Sequence, residues 1–333
     1  MNNYLFFRTD RIGDFLLSAI LINSVKRNDP TSHVTVVCSS KNYDYIKNFN
    51  IVDEAVLYPE GSFLEKIYFI KRIFFQKRYC TIVCDGKKRS IYSAILSRSK
   101  IKILFTTKTL YKRILKSFFS KILVDVESDT KILEIKNVIN YLNFNFSDTD
   151  LKTIIINKSY TYNKKFDPIE YNNSILLHFD EKWIFNDYIK SYTSIEPSID
   201  QLFEFIFKII STTKKNLIIT TGINNNDLLD KLKSKLEKFN DFIHLKKINF
   251  NYIYLVDKLS FFDVQFLVSK SNLIITSHGA ITHVAGSLNI PIFDIIDKTE
   301  NLFFHKWSSH FKTYSKFYRK DFEILSKEIV NSL

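Results

Sequence analysis

Short apolar runs alternating with amphipathic stretches restrict this chain to an α/β fold. Tyr4 to Phe7, Val34 to Cys38, Asp53 to Leu57, Thr81 to Cys84 and Ile101 to Phe105 read as strands. Each is too short for a helix and bounded by turn residues. Asp14 to about Arg27 reads as a helix, with Phe15, Leu16, Ala19, Ile20 and Val25 on its apolar side. Further helical segments lie near 62–77 and 90–97. Strands joined by helices pair in parallel, since a parallel neighbour is reached only by a long crossover. The alternation restarts in the second half: strand 174–178, helix 199–212, strand 217–220, helix 226–238, strand 273–276, helix 281–288 and strand 291–295. A helix over Asp321 to Leu333 closes the chain. Between the halves, the polar stretch 157–172 with Pro168 reads as a connection. A length of 333 residues suits two cores rather than one. The expectation is a domain over 1–160, a second over 173–318, and a terminal helix at 319–333 packing back on the first. Two Rossmann-like, doubly wound domains would face each other across a cleft, with ligands at the carboxyl ends of the strands.

Charge separates the halves. Residues 1–160 hold 26 Lys/Arg against 15 Asp/Glu, whereas residues 161–333 hold 22 against 20. The first domain therefore suits an anionic partner: nucleic acid, a phosphorylated glycolipid or a membrane surface. Nucleic acid has only this charge in its favour, because zinc-finger spacing, a ribonucleoprotein signature and a clear helix-turn-helix are all missing. Cys38, Cys80 and Cys84 lie in apolar strand-like runs, an odd count without paired spacing. That argues for buried thiols in a reducing cytosol rather than disulfides or a zinc site. No run approaches a membrane span, and the apolar start is too short for a signal peptide.

Candidate chemistry sits where strands end. Leu273 to Thr276 runs into Ser277-His278-Gly279 and then a helix beginning near Ala280. Unpaired N–H groups and the dipole at such a helix start attract phosphate. Gly279 lets a ligand approach, the hydroxyls of Thr276, Ser277 and Thr282 can bond it, and His278 and His283 flank the turn. After the first strand comes Arg8-Thr-Asp-Arg11-Ile-Gly13-Asp14, where Gly13 permits a tight turn. Asp14 fits either a helix cap or a general base. Asp180-Glu-Lys182-Trp183 follows the first strand of the second domain, and a lysine there is either solvated or holds a diphosphate. Thr220-Thr-Gly222 precedes Asp227, which binds a ribose hydroxyl or starts a helix. Lys87, Lys88 and Arg89 are cationic candidates after another strand. Thr109 to Val124 reads as one basic amphipathic helix bearing Lys112 and Arg113, whose apolar face serves either the core or a lipid surface.

Taken in order, these strand ends resemble the family 9 glycosyltransferases, whose best-known members are the heptosyltransferases of lipopolysaccharide core synthesis. Arg8-x-Asp-Arg-Ile-Gly-Asp14-Phe-Leu-Leu-Ser-Ala looks like the family's opening signature, with Pro30 before the second strand. Glu181-Lys182-Trp183 is similar to its Lys-x-Trp element. Leu217 to Gly222 looks like its nucleotide-side strand and turn. Asp257-Lys-Leu-Ser, followed by Ser269 to Thr276, resembles the run into its diphosphate-binding turn. The family usually carries an acid-Ser/Thr-Gly turn with a histidine three residues on. Here His278 stands in the turn, and His283 lies four residues after the glycine. The resemblance implies a GT-B fold and inverting, metal-independent transfer from a nucleotide-diphosphate sugar, without a cofactor. Asp14 would be the general base, and Lys182 and His283 would assist the departing diphosphate. Gly13, Thr220, Gly222, Asp227, Thr276, Ser277, His278, Gly279 and Ala280 would bind the donor. Arg8, Arg11, Lys87, Lys88, Arg89, Lys112 and Arg113 would bind a phosphorylated glycolipid. The implied location is cytoplasmic, peripheral at the inner face of the membrane. A non-catalytic sugar-nucleotide or glycan-binding relative, and an epimerase-like enzyme, stand as alternatives.

Overall fold

Residues 1–125, 129–154, 166–167, 169–184, 195–222 and 227–333 are described in the computed structural model. The first unit holds six strands: β1 (Asn3–Phe7), β2 (His33–Cys38), β3 (Glu54–Leu57), β4 (Lys77–Val83), β5 (Arg98–Thr106) and β6 (Lys121–Val124). All pair in parallel, in the order β3-β2-β1-β4-β5-β6. The helices are α1 (Ile12–Asn28), α2 (Tyr43–Lys47), α3 (Phe63–Phe75), α4 (Lys88–Leu96), α5 (Thr109–Ile114) and α6 (Lys131–Tyr141). Because side chains alternate along a strand, Leu5 and Phe7 share one face of β1. They pack there with Val37, Val83 and Leu104, under Phe69 and Ile73 of α3 and Ile91 and Ala94 of α4.

The second unit is an eight-stranded sheet in the order β14-β13-β12-β7-β8-β11-β10-β9. Its strands are β7 (Ser174–Phe179), β8 (Asn216–Thr221), β9 (Glu237–Lys238), β10 (Ile243–Ile248), β11 (Asn251–Val256), β12 (Leu273–Ser277), β13 (Ile292–Ile296) and β14 (Tyr314–Tyr318). Among the described residues β10 is the reversed strand, antiparallel to both β11 and β9, and the other pairs are parallel. Central β7 is buried along its whole length, as a strand covered on both faces must be. Its helices are α7 (Ile199–Thr213), α8 (Asp227–Lys233), α9 (Phe261–Lys270), α10 (Ala280–Ser287), α11 (Asn301–Ser308) and α12 (Phe322–Asn331). Ser198 and Ser260 start α7 and α9 by accepting from Gln201 N and Asp263 N, each at 3.2 Å. These caps satisfy N–H groups that the helix itself leaves unpaired.

The units divide at residue 155. Of the expected connection, residues 157–165 and 168 lie outside the described residues. The terminal helix, expected to fold back on the first domain, places Phe322, Leu325 and Ile329 in the second unit's core beside Phe205. Two long helical readings are corrected. The stretch Thr109 to Val124 is not one helix: α5 ends at Ile114, and Lys121–Val124 is an edge strand on Ile103–Thr106. The N–H and C=O groups along β5 need partners, and Phe119 must turn inward to the core. Likewise α8 ends at Lys233, and Glu237–Lys238 pairs with the edge of β10.

Candidate active site

Each sheet has one point where successive crossovers leave in opposite directions, and a crevice opens at such a point beyond the strand ends. In the second unit it lies between β7 and β12. The loops that leave these strands are Asp180-Glu181-Lys182-Trp183 and Ser277-His278-Gly279-Ala280, two of the segments singled out from sequence. Asp180 caps the turn by accepting from Lys182 N at 3.2 Å, and its Oδ2 lies 2.7 Å from Lys182 Nζ. Trp183 anchors the turn: it is fully buried, stacks on Phe179 at 4.9 Å, and donates from Nε1 to His178 O at 2.9 Å. The ammonium of Lys182 is thereby held over the start of α10. A Cβ placed on Gly279 would come within 2.6 Å of Lys182 Nζ. Gly222 is needed for a similar reason, because a Cβ there would stand 3.0 Å from that of Asp180.

At the start of α10, the N–H of Gly279 donates to Thr282 Oγ1 at 3.1 Å. Thr276 and Ser277 are buried, and Ser277 Oγ has no hydrogen-bond partner among the described residues. His278 donates from Nδ1 to Asp294 Oδ2 at 2.5 Å, and the Tyr314 hydroxyl donates to the same oxygen at 2.8 Å. The turn that lacks an acid of its own is thus served by a buried carboxylate from β13. Burial first, then Asp294, pushes the Tyr314 hydroxyl above its usual range. His283 lies 5.6 Å from His278, ring to ring, and 5.6 Å from Phe311. Burial, His278 and His310 together hold it well below the usual imidazole range, so it is a neutral donor or acceptor and not a cation. His178 on β7 meets Thr220 Oγ1 through Nδ1 at 2.9 Å. Burial lowers its pKa to about 4, against the pull of Asp180 and with a push from Lys182. Asp227 is exposed at the first turn of α8, past the undescribed residues 223–226.

The first unit's crevice lies between β1 and β4. Thr9 donates to Asp85 Oδ2 through N at 3.1 Å and Oγ1 at 2.6 Å, and Lys87 Nζ donates to Thr9 O at 2.8 Å. These bonds tie the two strand ends together. Arg8 is a buried tie of this kind rather than an exposed cation, bonded to Ser18 Oγ and Asp10 Oδ2 at 2.8 Å each. Asp14 is half-buried in the first turn of α1, its Oδ2 3.3 Å from Arg11 N. The capping role is therefore filled. Burial, then the neighbouring charge of Asp10, raises its pKa against Arg8 and Arg11, which is the direction that suits a general base. Gly13 takes helical backbone within α1, and the tight turn lies instead at Gly86, φ 59°. Arg11 and Lys88 are exposed, while Arg89 sits over the Tyr58 ring at 4.7 Å. Lys112 and Arg113 are exposed on α5, which follows β5.

Asp180, His178 and Asp294 were not among the residues expected from sequence. A signal existed for two of them: a histidine inside Ser174–Phe179 and an acid inside Ile292–Ile296 are polar groups in runs that must be buried.

Neither a protein-family model nor a curated protein sequence matches the chain. Solved structures do. A glycosyltransferase of family 9 from Veillonella parvula superposes with a TM-score of 0.71 at 15% identity, covering 99% of this chain and 88% of that one. The chain has the GT-B fold of the family 9 glycosyltransferases. The E. coli heptosyltransferase WaaC, solved with ADP, matches with a TM-score of 0.64 at 10% identity, covering 99% and 97%. The UDP-GlcNAc 2-epimerase of Methanocaldococcus jannaschii follows at 0.59 and 14%, covering 99% and 92%. Among the described residues no helix is long and apolar enough to cross a membrane.

Proposed function

We propose that the chain is a glycosyltransferase that moves a sugar, heptose or a related one, from a nucleotide-diphosphate donor to a phosphorylated glycolipid of the cell-surface, lipopolysaccharide type. The observation that carries the reading is the ammonium of Lys182 held over Gly279 at the start of α10. A cation and a helix N-terminus that converge on one point suit a diphosphate. The likeness to WaaC solved with ADP supports the same reading. In the proposed step Asp14 takes the proton of the acceptor hydroxyl while that oxygen attacks the anomeric carbon. The bond to the diphosphate oxygen breaks, the configuration inverts, and the leaving charge falls on Lys182, the N–H groups of α10 and the Ser277 hydroxyl. His283 contributes as a neutral imidazole. These groups neutralise the diphosphate without a metal ion. The surplus charge of the first unit attracts the acceptor at the inner face of the membrane.

Release of nucleoside diphosphate from a panel of nucleotide sugars, for the wild type and for Asp14→Ala, tests this. Acceptor-dependent release that collapses in the variant is expected. Equal release from both proteins would remove Asp14 as the base, and release from neither would leave a binding protein. The epimerase likeness gives a second reading, which free sugar formed without acceptor would favour.

A further inference from the structure

Helices α3, α4 and α5 cover the same face of the first sheet. Phe69 and Ile73 of α3, Ile91 and Ala94 of α4, and Tyr111 of α5 join one apolar cluster with Leu5, Phe7 and Leu104. Their opposite sides therefore point outward together, and those sides are not polar. On α3, Leu64, Tyr68 and Phe75 are spaced at helical repeats and are 64%, 69% and 68% exposed. On α4, Tyr92 and Leu96 are four residues apart and exposed, and α5 with its following turn exposes Leu110, Ile114 and Phe118. Over residues 63–75, 88–96 and 108–118 the sequence carries nine Lys/Arg and one acid, Glu65.

Apolar side chains singly exposed are ordinary, but eight on one face with basic residues between them are not. A protein partner would need only the apolar part of this pattern, and a soluble anion only the charge. Both together fit a surface of anionic headgroups over hydrocarbon, where aromatic and leucine side chains enter the interface and Lys/Arg stay at headgroup level. We infer that the α3-α4-α5 face of the first unit docks flat on an anionic bilayer, with Leu64, Tyr68, Phe75, Leu110, Ile114 and Phe118 entering the headgroup boundary. This builds on the reading that the acceptor is membrane-borne, but binding can be measured without donor, acceptor or turnover.

The test is co-sedimentation of the full chain with vesicles of phosphatidylglycerol and phosphatidylcholine, against phosphatidylcholine alone. The wild type should bind the anionic vesicles at least tenfold more tightly. Leu64→Ser/Tyr68→Ser/Phe75→Ser and, separately, Lys112→Glu/Arg113→Glu/Lys116→Glu should each lose tenfold or more. Phe250→Ser, which removes a side chain 94% exposed in the second unit, should bind like the wild type. A tryptophan placed at Phe118 should shift its emission to the blue and be quenched by brominated lipid. The inference is overturned if the wild type stays in solution with anionic vesicles, or if the apolar variant binds as the wild type does. It is also overturned if the same variants instead abolish a concentration-dependent dimer of a wild type that ignores vesicles. None of these results bears on diphosphate release, so failure here leaves the transferase reading to its own assay.

Discussion

Replacing Gly279 by alanine changes one methyl group and isolates the contact on which the donor site rests. The backbone at Gly279 is extended, with φ 179° and ψ −159°, which any residue adopts. The new Cβ would stand 2.6 Å from Lys182 Nζ. Carbon contacts relax near 3.5–4 Å, so the ammonium, the free end of a flexible side chain, must retreat by roughly 1 Å. Drawing a unit charge back from about 3 to about 4 Å from a phosphate, at an effective dielectric of about 20, weakens the attraction by about 1.4 kcal/mol. That is about tenfold in affinity for a nucleoside diphosphate, and loss of alignment can take kcat/KM down as far as about 100-fold. Stability should change little, since the displaced group is an end that can move and not a packed core atom. Titration calorimetry with nucleoside diphosphates, steady-state kinetics and a thermal melt measure the three quantities. Wild-type affinity and kcat/KM in Gly279→Ala, with the melt unchanged, would show that Lys182 is not at the phosphate.

Three further outcomes are expected. Asp14→Asn should lower kcat by about 10² to 10⁴, the usual worth of a positioned base, and abolish an acid limb that lies above the ordinary aspartate range in the wild-type pH profile. Because its folded pKa is raised, ionised Asp14 opposes folding above its unfolded pKa, so the melt of Asp14→Asn at pH 7 should not fall; a clear drop would contradict the cause assigned to that shift. His178, with a folded pKa of about 4 against 6.5 unfolded, takes up protons on unfolding between those values, so stability should decline as pH falls from 6.5 to 4. His178→Gln should flatten that decline relative to wild type, measured by urea melts across the range. Trp183→Ala removes a fully buried ring from between Phe179 and Phe322 and should cost about 3–5 kcal/mol in urea denaturation.

The elements legible in the sequence were those whose burial leaves a strong pattern. Ser174–Phe179 and Leu273–Ser277 are nearly unbroken apolar runs because both faces of those strands are covered. The hairpin of β10 and β11 escaped because His244, Lys246 and Lys247 interrupt it near the sheet edge, where half the side chains meet water. Leu110, Ile114 and Phe118 misled in the other direction: their helical spacing is real, yet it faces outward, and Lys121–Val124 was claimed by β5. At the site, Lys182 and Gly279 could be named one by one. Their contact could not be read, because it depends on β7 and β12 being neighbours across the point where the crossovers diverge. Asp294 is a similar case. Its value as the acid beside His278 follows from the pairing of Thr276 with Asp294 across two strands, which no local pattern encodes.

On the proposed function, the crevice between β7 and β12 holds the diphosphate of a nucleotide sugar. A crystal structure of the protein soaked with a nucleoside diphosphate would locate the phosphates. Phosphate oxygens are expected at the N–H groups of Ala280 and Ile281, with Lys182 Nζ and Ser277 Oγ within hydrogen-bond reach. Phosphates bound elsewhere, or a crevice left empty at millimolar nucleotide, would rule out a donor site at Lys182 and Gly279.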